Sequence, residues 1–373
     1  MSRIVYLDHN ATAPLRADAR AALIEALDLV GNPSSVHAAG RAARRAVESA
    51  REAVAALVGA APAEVVFTSG ATEANATVLA GAGRPVLAAG TEHDSVRAGL
   101  DGAPVPVDAE GRIDLSFLDR RLAEAGAPAL VSVMLANNET GVVQPVAEAA
   151  AIARRHGALV HCDAVQAAGR LAVDRDALDV DYLTLSAHKI GGPRGVGAVV
   201  ARDGVPLAPL VRGGGQERRR RAGTENVAAI AGFGAAARAA AAEAGRLGAL
   251  EALRDGLVAG IRAADPTAPL WGEGAGRLPN TACIGMPGVP AETQVMGFDL
   301  AGIAVSAGSA CSSGKVAASH VLDAMGAGAA AGEAVRFSLG PETTADEIER
   351  AVAAWAEVAA RARGRRAGPG AAA

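Results

Sequence analysis

Two stretches of the chain read Leu159-Val160-His161-Cys162-Asp163-Ala164-Val165-Gln166 and Tyr182-Leu183-Thr184-Leu185-Ser186-Ala187-His188-Lys189. Each begins as a short apolar run, which indicates a buried strand, and ends in polar side chains. Further runs of this kind, separated by helical patterns, lie at residues 65–67, 85–88, 130–135 and 196–200. Buried strands that alternate with helices predict a mostly parallel sheet covered on both faces. Such sheets bind ligands at the carboxyl ends of their strands, so the polar residues after the runs are the candidate site.

The rest of the chain contains clear helical patterns and a change of organisation. Apolar residues recur at helical spacing over residues 43–57, with arginines and glutamates between them. The last third holds a long Ala- and Leu-rich helix and strand-like pieces around residues 281–286 and 303–305. A final helix starts where Thr344 and Glu347 make a capping box. This part of the chain therefore predicts a second, smaller domain.

The composition excludes several classes of protein. The 373 residues suffice for two domains, and with half of them apolar and 20% charged the whole chain cannot be disordered. A net charge of −4 argues against a nucleic-acid or anionic-membrane surface. The first eight residues lack the apolar core of a signal peptide and the three cysteines are scattered, so we expect a cytoplasmic protein. The apolar stretch at residues 227–245 contains Arg238 and Glu243, which favours a buried helix over a membrane span.

The basic residues are strongly biased towards arginine. Only Lys189 and Lys315 are lysines, and the other 34 of the 36 basic residues are arginines. The bias can be chance. It can also mean that a lysine survives where arginine cannot serve, because an amine can lose its proton and act as a nucleophile whereas a guanidinium cannot.

Several polar groups are expected to meet at the carboxyl edge of the sheet. A strand-end lysine is usually a solvated charge, but Lys189 lies beside Ser186 and His188, which can donate to a phosphate. Asp163 can hold the protonated nitrogen of a heterocycle such as pyridoxal 5'-phosphate (PLP), although an isolated aspartate there more often caps a helix. Residues 69–73, Ser-Gly-Ala-Thr-Glu, predict either a phosphate cradle at a helix N-terminus or an ordinary capped turn. Together these groups favour a Schiff-base lysine at Lys189.

Three other polar features allow two interpretations each. His93, after the run at residues 85–88, is a surface or capping residue unless a cofactor ring is present, on which it can stack and move protons. Arg336 lies in an apolar run, so it must bind a carboxylate, either of a substrate or of the protein itself. The basic run at residues 218–221 lacks the interleaved aromatic residues of a nucleic-acid site, so we expect a flexible loop that contacts an anionic site or another subunit.

The three cysteines have different surroundings. Cys311 lies in a ten-residue stretch of almost only small residues, which predicts a mobile, exposed loop suited to a reactive thiolate. Lys315, four residues later, can favour that thiolate. Cys162 and Cys283 lie in apolar runs and are expected to be packing residues.

Taken together, these residues resemble the PLP-dependent cysteine desulfurases, specifically the NifS/IscS-like branch of the class V aminotransferase family. The resemblance extends from residues 6–12, Tyr-Leu-Asp-His-Asn-Ala-Thr, to about Trp355. The most specific matching segments are residues 31–35, 69–73, 137–141, 163–166, 186–189, 221–226 and 308–312.

The resemblance implies a fold and an assembly. The fold is α/β, the PLP-dependent transferase fold type I, with a mostly parallel central sheet, helices on both faces and a smaller α+β domain. The assembly is a homodimer. The expected bounds are residues 15–245 for the large PLP-binding domain, 1–14 with 246–363 for the small domain that carries the cysteine loop, and 364–373 for a disordered tail.

The resemblance also implies roles for the matching residues. Lys189 would bind the cofactor covalently, Asp163 would pair with its pyridine nitrogen, and Cys311 would receive the sulfur as a persulfide. His93 would stack on the cofactor ring, and Gln166 would bond its phenolic oxygen. The phosphate would be held by Ala71, Thr72, Ser186, His188 and, from the neighbouring subunit, Thr224. The substrate carboxylate would be held by Arg336 and by Asn138, which also lies near the cofactor.

The activity implied is conversion of L-cysteine to L-alanine, with the sulfur passed to an iron-sulfur scaffold or another sulfur-acceptor protein. Cys311 is then also expected to be a transient iron-sulfur ligand. The alternatives are a related PLP enzyme, such as a selenocysteine lyase or an aminotransferase, and a mainly sulfur-carrying assembly protein. Ser312, Lys315 and Val316 depart from the residues common in the family and leave the choice of acceptor open.

Overall fold

The computed structural model describes residues 4–243, 245, 247–308 and 318–366. Its strands are β1 (Val5–Tyr6), β2 (Val65–Thr68), β3 (Val86–Ala88), β4 (Leu130–Ser132), β5 (Leu159–Asp163), β6 (Tyr182–Ser186), β7 (Gly197–Ala201), β8 (Thr281–Gly285), β9 (Ile303–Ala304), β10 (Ser306–Ala307) and β11 (Ala334–Ser338). Its helices are α1 (Ala17–Leu27), α2 (Ala38–Leu57), α3 (Ala71–Gly81), α4 (Asp94–Arg97), α5 (Leu115–Glu124), α6 (Val146–Arg155), α7 (Val227–Ala242), α8 (Leu247–Ala264), α9 (Ala291–Leu300), α10 (His320–Ala324) and α11 (Ala345–Arg366). Short 3-10 helices include Pro62–Glu64, Ala187–Lys189, Gln216–Arg219 and Gly328–Gly332.

The central element is a six-stranded sheet with the order β2-β7-β6-β5-β4-β3. Strands β3, β4, β5 and β6 pair in parallel, whereas β7 is antiparallel to both β6 and β2. Every residue of these six strands is buried. Each predicted apolar run forms one of these strands, and the predicted mostly parallel sheet is confirmed.

Helices cover both faces of this sheet. Successive residues of a strand point to opposite sides, so a continuously apolar strand has an apolar side chain on each face. Val65 and Phe67 of β2 pack into one core with α2, α6 and α7. Val66, between them, packs into a second core with α3. The two covered faces explain why these strands are continuously apolar rather than alternating.

Close packing between α2 and α7 on one face of the sheet requires small residues. A Cβ on Gly234 of α7 would lie 2.5 Å from the Cα of Ala50 in α2, so these helices approach as closely as backbone contact allows. The predicted amphipathic helix at residues 43–57 is confirmed, and α2 begins a turn and a half earlier, after the N-cap residue His37. Among the described residues no single helix is long and apolar enough to cross a membrane; only α7 and α8 taken together, bent by 80°, match by length and composition.

A separate core lies around the small strands. Strands β10, β11 and β8 form an antiparallel sheet, while β1 pairs in parallel with β9. The N-terminal residues Val5 and Leu7 thereby join a core with Leu257, Phe298 and Trp355 from the second half of the chain. The bounds of the two domains stay a prediction.

Helix α11 begins at the predicted capping box and is longer than expected. The Thr344 nitrogen donates to the Glu347 carboxylate at 3.0 Å, and the Glu347 nitrogen donates back to the Thr344 hydroxyl at 3.3 Å. The helix continues to Arg366, three residues into the predicted tail, and the disordered tail from Gly364 stays a prediction. The other residues of the predicted tail lie outside the described residues.

Candidate active site

The register of the large sheet brings the predicted site residues to one edge. Asp163, the last residue of β5, lies opposite Thr184 of β6. Ser186, the last residue of β6, lies opposite Gly197, which in turn lies opposite Thr68 at the end of β2. Because β7 runs in the opposite direction, its first residue joins the carboxyl ends of its two neighbours. The segments after β2, β5 and β6 therefore start side by side.

The predicted phosphate cradle follows β2. A Cβ on Gly197 would lie 2.7 Å from the carbonyl carbon of Gly70, so glycine at this position lets the cradle approach the end of β6. Helix α3 begins at Ala71, and its first backbone N–H groups have no acceptors within the helix. The one acidic side chain of the first turn, Glu73, is engaged by Arg221 at 3.0 Å and by the Ser69 nitrogen at 2.8 Å. Its charge is thus compensated, which leaves the helix N-terminus favourable for an anion.

Asp163 is a buried carboxylate held by neutral donors. Its Oδ1 accepts from the Val165 nitrogen at 3.0 Å, and its Oδ2 accepts from the Asn75 amide at 2.9 Å. No ion pair to Asp163 occurs within the described residues. The carboxylate is therefore oriented by its neighbours while its charge stays available to a bound cation.

Lys189 ends the 3-10 helix that directly follows β6. Its Nζ donates to the backbone carbonyls of Asn10 and Ala11, at 2.5 and 3.0 Å. The Gln166 amide nitrogen donates to the same Asn10 carbonyl at 3.0 Å. The segment after β1 thus brings the amine of Lys189 and the side chain of Gln166 to a common acceptor.

The two histidines of the predicted site are oriented by hydroxyl groups. His188 Nδ1 lies 3.2 Å from the Thr12 hydroxyl, and burial, followed by the positive charge of Lys189, lowers the pKa of His188 to about 4. His188 is therefore neutral at pH 7. His93 is the N-cap of α4, with its Nδ1 2.8 Å from the Ser95 hydroxyl and accepting from the Ser95 nitrogen. The predicted capping interpretation of His93 is correct, and it leaves the ring half-buried at the sheet edge.

Arg336 is held by a carboxylate of the protein itself. Its Nη2 lies 2.7 Å from Asp8, and its Nη1 donates to the Asn138 carbonyl at 2.9 Å. Its Nε is buried and has no partner among the described residues. Of the two partners that the sequence allows for Arg336, the structure contains the protein carboxylate, and the substrate role of Arg336 and Asn138 stays a prediction.

The residues at the sheet edge fit PLP. A buried carboxylate suits a protonated pyridine nitrogen, and the open N-terminus of α3 beside Gly197 suits a phosphate. Neutral His188 and the buried hydroxyl of Ser186 add donors, and the amine of Lys189 suits a covalent link. The edge therefore offers a group of the required chemistry to each charged part of the cofactor.

Comparison with known proteins agrees with this geometry. The protein-family model described as Aminotransferase class-V matches residues 5–351. The chain belongs to the class-V aminotransferase family. It is similar to a cysteine desulfurase of Cereibacter sphaeroides, with 46% identity over 93% of each chain, and to the cysteine desulfurase IscS of Dictyoglomus turgidum, with 39% identity over 93% of this chain and 92% of that protein. The solved NifS-like protein of Rickettsia africae is 34% identical over 95% of this chain and 99% of that one, with a TM-score of 0.89. The expected resemblance and the fold class are confirmed.

Some predicted residues of this class-V aminotransferase fold are not among those that the described part of the chain brings together at the edge. Thr224 is exposed on the segment that follows Arg221, and its expected contact with a neighbouring subunit stays a prediction. Cys311 and Lys315 lie outside the described residues. Cys162 and Cys283 are buried, and burial raises the pKa of both thiols, which confirms that they are packing residues.

Two buried residues near the site, Asn75 and Glu92, were not singled out from the sequence. Asn75, fully buried in α3, donates to Asp163 and accepts from the Thr184 hydroxyl at 2.6 Å. Glu92 is also fully buried, and burial, against a hydrogen bond from the Met134 nitrogen, raises the pKa of its carboxyl well above the usual value. Asn75 lies one turn after Thr72 among the apolar residues of a helix, and this position in the sequence indicates a buried amide with hydrogen-bond partners. Glu92 gave no such signal, because its burial depends on packing between β3 and β4.

Proposed function

We propose that this protein is a cysteine desulfurase that binds PLP through Lys189 and converts L-cysteine to L-alanine. The observation that supports this most strongly is the position of the Lys189 amine and the uncompensated Asp163 carboxylate at neighbouring strand ends. The names of the similar proteins point to the same activity. A structural lysine at a strand end would not need a buried carboxylate and an anion cradle beside it.

The cofactor would be held by the residues of the sheet edge. Asp163 would bind the pyridine nitrogen, His93 would stack on the ring, and Gln166 would donate to the phenolic oxygen. The phosphate would be bound by Ala71, Thr72, Ser186, His188 and, from a second copy of the chain, Thr224. When bound, PLP acts as an electron sink for a carbanion formed at the α-carbon of an amino acid.

The chain's own residues would carry out the remaining steps. Arg336 and Asn138 bind the carboxylate of L-cysteine, and the Nζ of Lys189 takes the α-proton as a base. The Cys311 thiolate attacks the substrate sulfur, so that the S–S bond of a persulfide forms as the C–S bond breaks. The substrate carbon keeps the electron pair of the broken bond and is protonated, which gives L-alanine.

Several finer features belong to the same proposal. We infer a homodimer, because Thr224 is exposed and would complete the site of a neighbouring copy. We also infer a cytoplasmic location, because three scattered cysteines suit a reducing compartment. The sulfur acceptor would be an iron-sulfur scaffold or another acceptor protein, with Cys311 as a transient ligand of the cluster. The large domain would comprise residues 15–245, and residues 1–14 with 246–363 would form the small one.

The proposal is tested by the fate of sulfur in a cysteine variant. We expect purified protein to take up PLP and to release sulfide and L-alanine from L-cysteine in the presence of a reductant. Cys311→Ala should abolish sulfide release, because the nucleophile is lost. Cys283→Ala, which removes a buried thiol of the small-domain core, is the matched control and should retain release.

Three outcomes would contradict the proposal. Sulfide release that is intact in Cys311→Ala would favour a selenocysteine lyase or another PLP enzyme of this family. Amino-group transfer to a keto acid without sulfide release would indicate an aminotransferase. Purified protein that is colourless and takes up no PLP would favour a sulfur-carrying assembly protein.

A further inference from the structure

Arg170 is a buried arginine whose hydrogen bonds all go to neutral oxygen atoms. The residue is only 8% exposed. Its Nη1 donates to the side-chain oxygen of Gln166 and, at 3.2 Å, to the backbone carbonyl of the same residue. Its Nη2 donates to the carbonyls of Lys189 and His9, at 3.2 and 3.4 Å. A buried cation normally has an ionic partner, and in the described part of the chain Arg170 has none.

The contact with Arg170 determines which way the amide of Gln166 points. A guanidinium has donors only, so the group that faces it must be the amide oxygen. The amide nitrogen then lies on the other side, where it donates to the Asn10 carbonyl at 3.0 Å. The Lys189 Nζ donates to this same carbonyl. The Asn10 carbonyl can only accept, so it requires the same orientation, and the two contacts together fix the amide.

We propose that Arg170 is a positioning residue that holds the Gln166 amide with its nitrogen directed towards the Lys189 end of the site, and that also supplies positive charge there. This inference deepens the proposed function and rests on it. An N–H donor and a nearby positive charge both stabilise an anionic oxygen of a bound cofactor. Both also disfavour an additional proton on the nitrogen of Lys189. The missing ionic partner of Arg170 is explained if the bound cofactor supplies the negative charge.

Other charged groups around this cluster are compatible with the proposal. Burial, and after it the positive charge of Arg336, lowers the pKa of Arg170 to about 9, so the guanidinium keeps its proton at pH 7. Burial, and after it Arg170 itself, lowers the pKa of His9 to about 4. Other titratable or charged groups near Arg170 and Lys189 are His188, Arg194, Arg16 with its partner Glu243, and, lining the same cavity, Tyr6, Glu342 and Glu347. The pair of Arg16 and Glu243 is neutral as a unit, so Arg170 stands out as an uncompensated cation beside Gln166.

The test is a pH titration of the visible absorption of the PLP-loaded protein. The midpoint is the pH at which half of the protein has lost the additional proton on the Lys189 nitrogen. We expect Arg170→Met to raise this midpoint by about one pH unit, because the Gln166 N–H donor loses its orientation and the positive charge of Arg170 is lost. Arg170→Lys should restore at least half of this shift, since an ammonium group donates to the Gln166 oxygen and keeps the charge. Arg254→Met is the matched control: Arg254 is equally buried but pairs with Glu251 and Asp255, and its midpoint should equal that of the unmodified protein.

Clear outcomes would overturn the inference. An unchanged midpoint in Arg170→Met, or the same shift in Arg254→Met, contradicts a positioning role. If Arg170→Met does not fold, Gln166→Glu decides, because a carboxylate pairs with Arg170 and offers no N–H to the site. Its midpoint should rise by a similar amount, and an unchanged value overturns the proposal. Unmodified protein that takes up no PLP refutes the proposed function itself, and this inference with it, which is a distinct result from a shift that fails to appear.

Discussion

The carboxyl edge of the large sheet and the middle strand of the small sheet hold their charged groups in different ways. Asp163, at the large sheet, is oriented by an amide and a backbone N–H, both neutral. Arg336, on β11, is paired with the Asp8 carboxylate at 2.7 Å. A charge held by neutral donors can take an ionic partner directly, whereas a paired charge must share or exchange its partner. Under the proposed function, the large-sheet edge would suit a permanent cofactor, and the small-sheet cation would suit a ligand that exchanges.

The largest effect is expected from a change of the Lys189 amine at the large-sheet edge. Lys189→Arg keeps the positive charge and agrees with the arginine bias of the chain, but a guanidinium does not lose its proton. We expect desulfurase activity to fall by about 1,000-fold or more, because the covalent cofactor link and the base are lost together. Borohydride reduction followed by mass spectrometry of the intact protein should show a PLP adduct in the unmodified protein and none in the variant.

The control for this prediction is Lys315→Arg, which makes the same substitution at the other lysine. It should retain the adduct. A Lys189→Arg variant that keeps both the adduct and the activity would mean that the amine is not the attachment point.

A second test concerns the neutral groups behind Asp163. His161, two residues earlier on β5, is fully buried between the hydroxyls of Ser132 and Thr184, and burial lowers its pKa to about 4. The unfolded chain takes up a proton below pH 6.5 while the folded protein does not, so stability is lost as the pH falls from 6.5 to 4. The contribution of His161 is about 3 kcal/mol over this range.

His161→Gln replaces the ring by a neutral amide that can still bond both hydroxyls. We expect its free energy of unfolding to fall by about 3 kcal/mol less than that of the unmodified protein between pH 6.5 and 4. Urea unfolding at several pH values measures this difference. Parallel pH profiles for the two proteins would show that His161 is not the acid-sensitive group of the sheet.

The smallest effect is expected at the paired cation. Arg336→Lys can still pair with Asp8 but lacks the planar fork that binds a carboxylate with two hydrogen bonds. We expect the KM for L-cysteine to rise by about tenfold with little change in kcat, since the interaction is made in both the ground and the transition state. Steady-state kinetics checks this, with Arg254→Lys as the control because Arg254 is a similarly buried arginine. An unchanged KM would remove Arg336 from the substrate site.

Much of the large-sheet edge was predictable from the order of residues. Asp163, Ser186 and Lys189 each follow an apolar run, and the ends of neighbouring parallel strands meet wherever such a sheet forms. The pairing of Arg336 with Asp8 was not predictable in the same way. These residues are 328 positions apart, and they meet because β1 joins the core around the small strands next to β9.

The order of residues specifies the type of sheet, the edge at which the polar residues gather and the family to which the chain belongs. These follow from local patterns: apolar runs, turn residues and the segments that match known motifs. Which groups remain uncompensated depends on how distant segments pack. Within the described part of the chain Arg170 has no carboxylate partner and Arg336 has one, although both are buried arginines. The physical reason is that ionic pairing within 4 Å depends on how distant segments pack, which residue order and spacing do not specify.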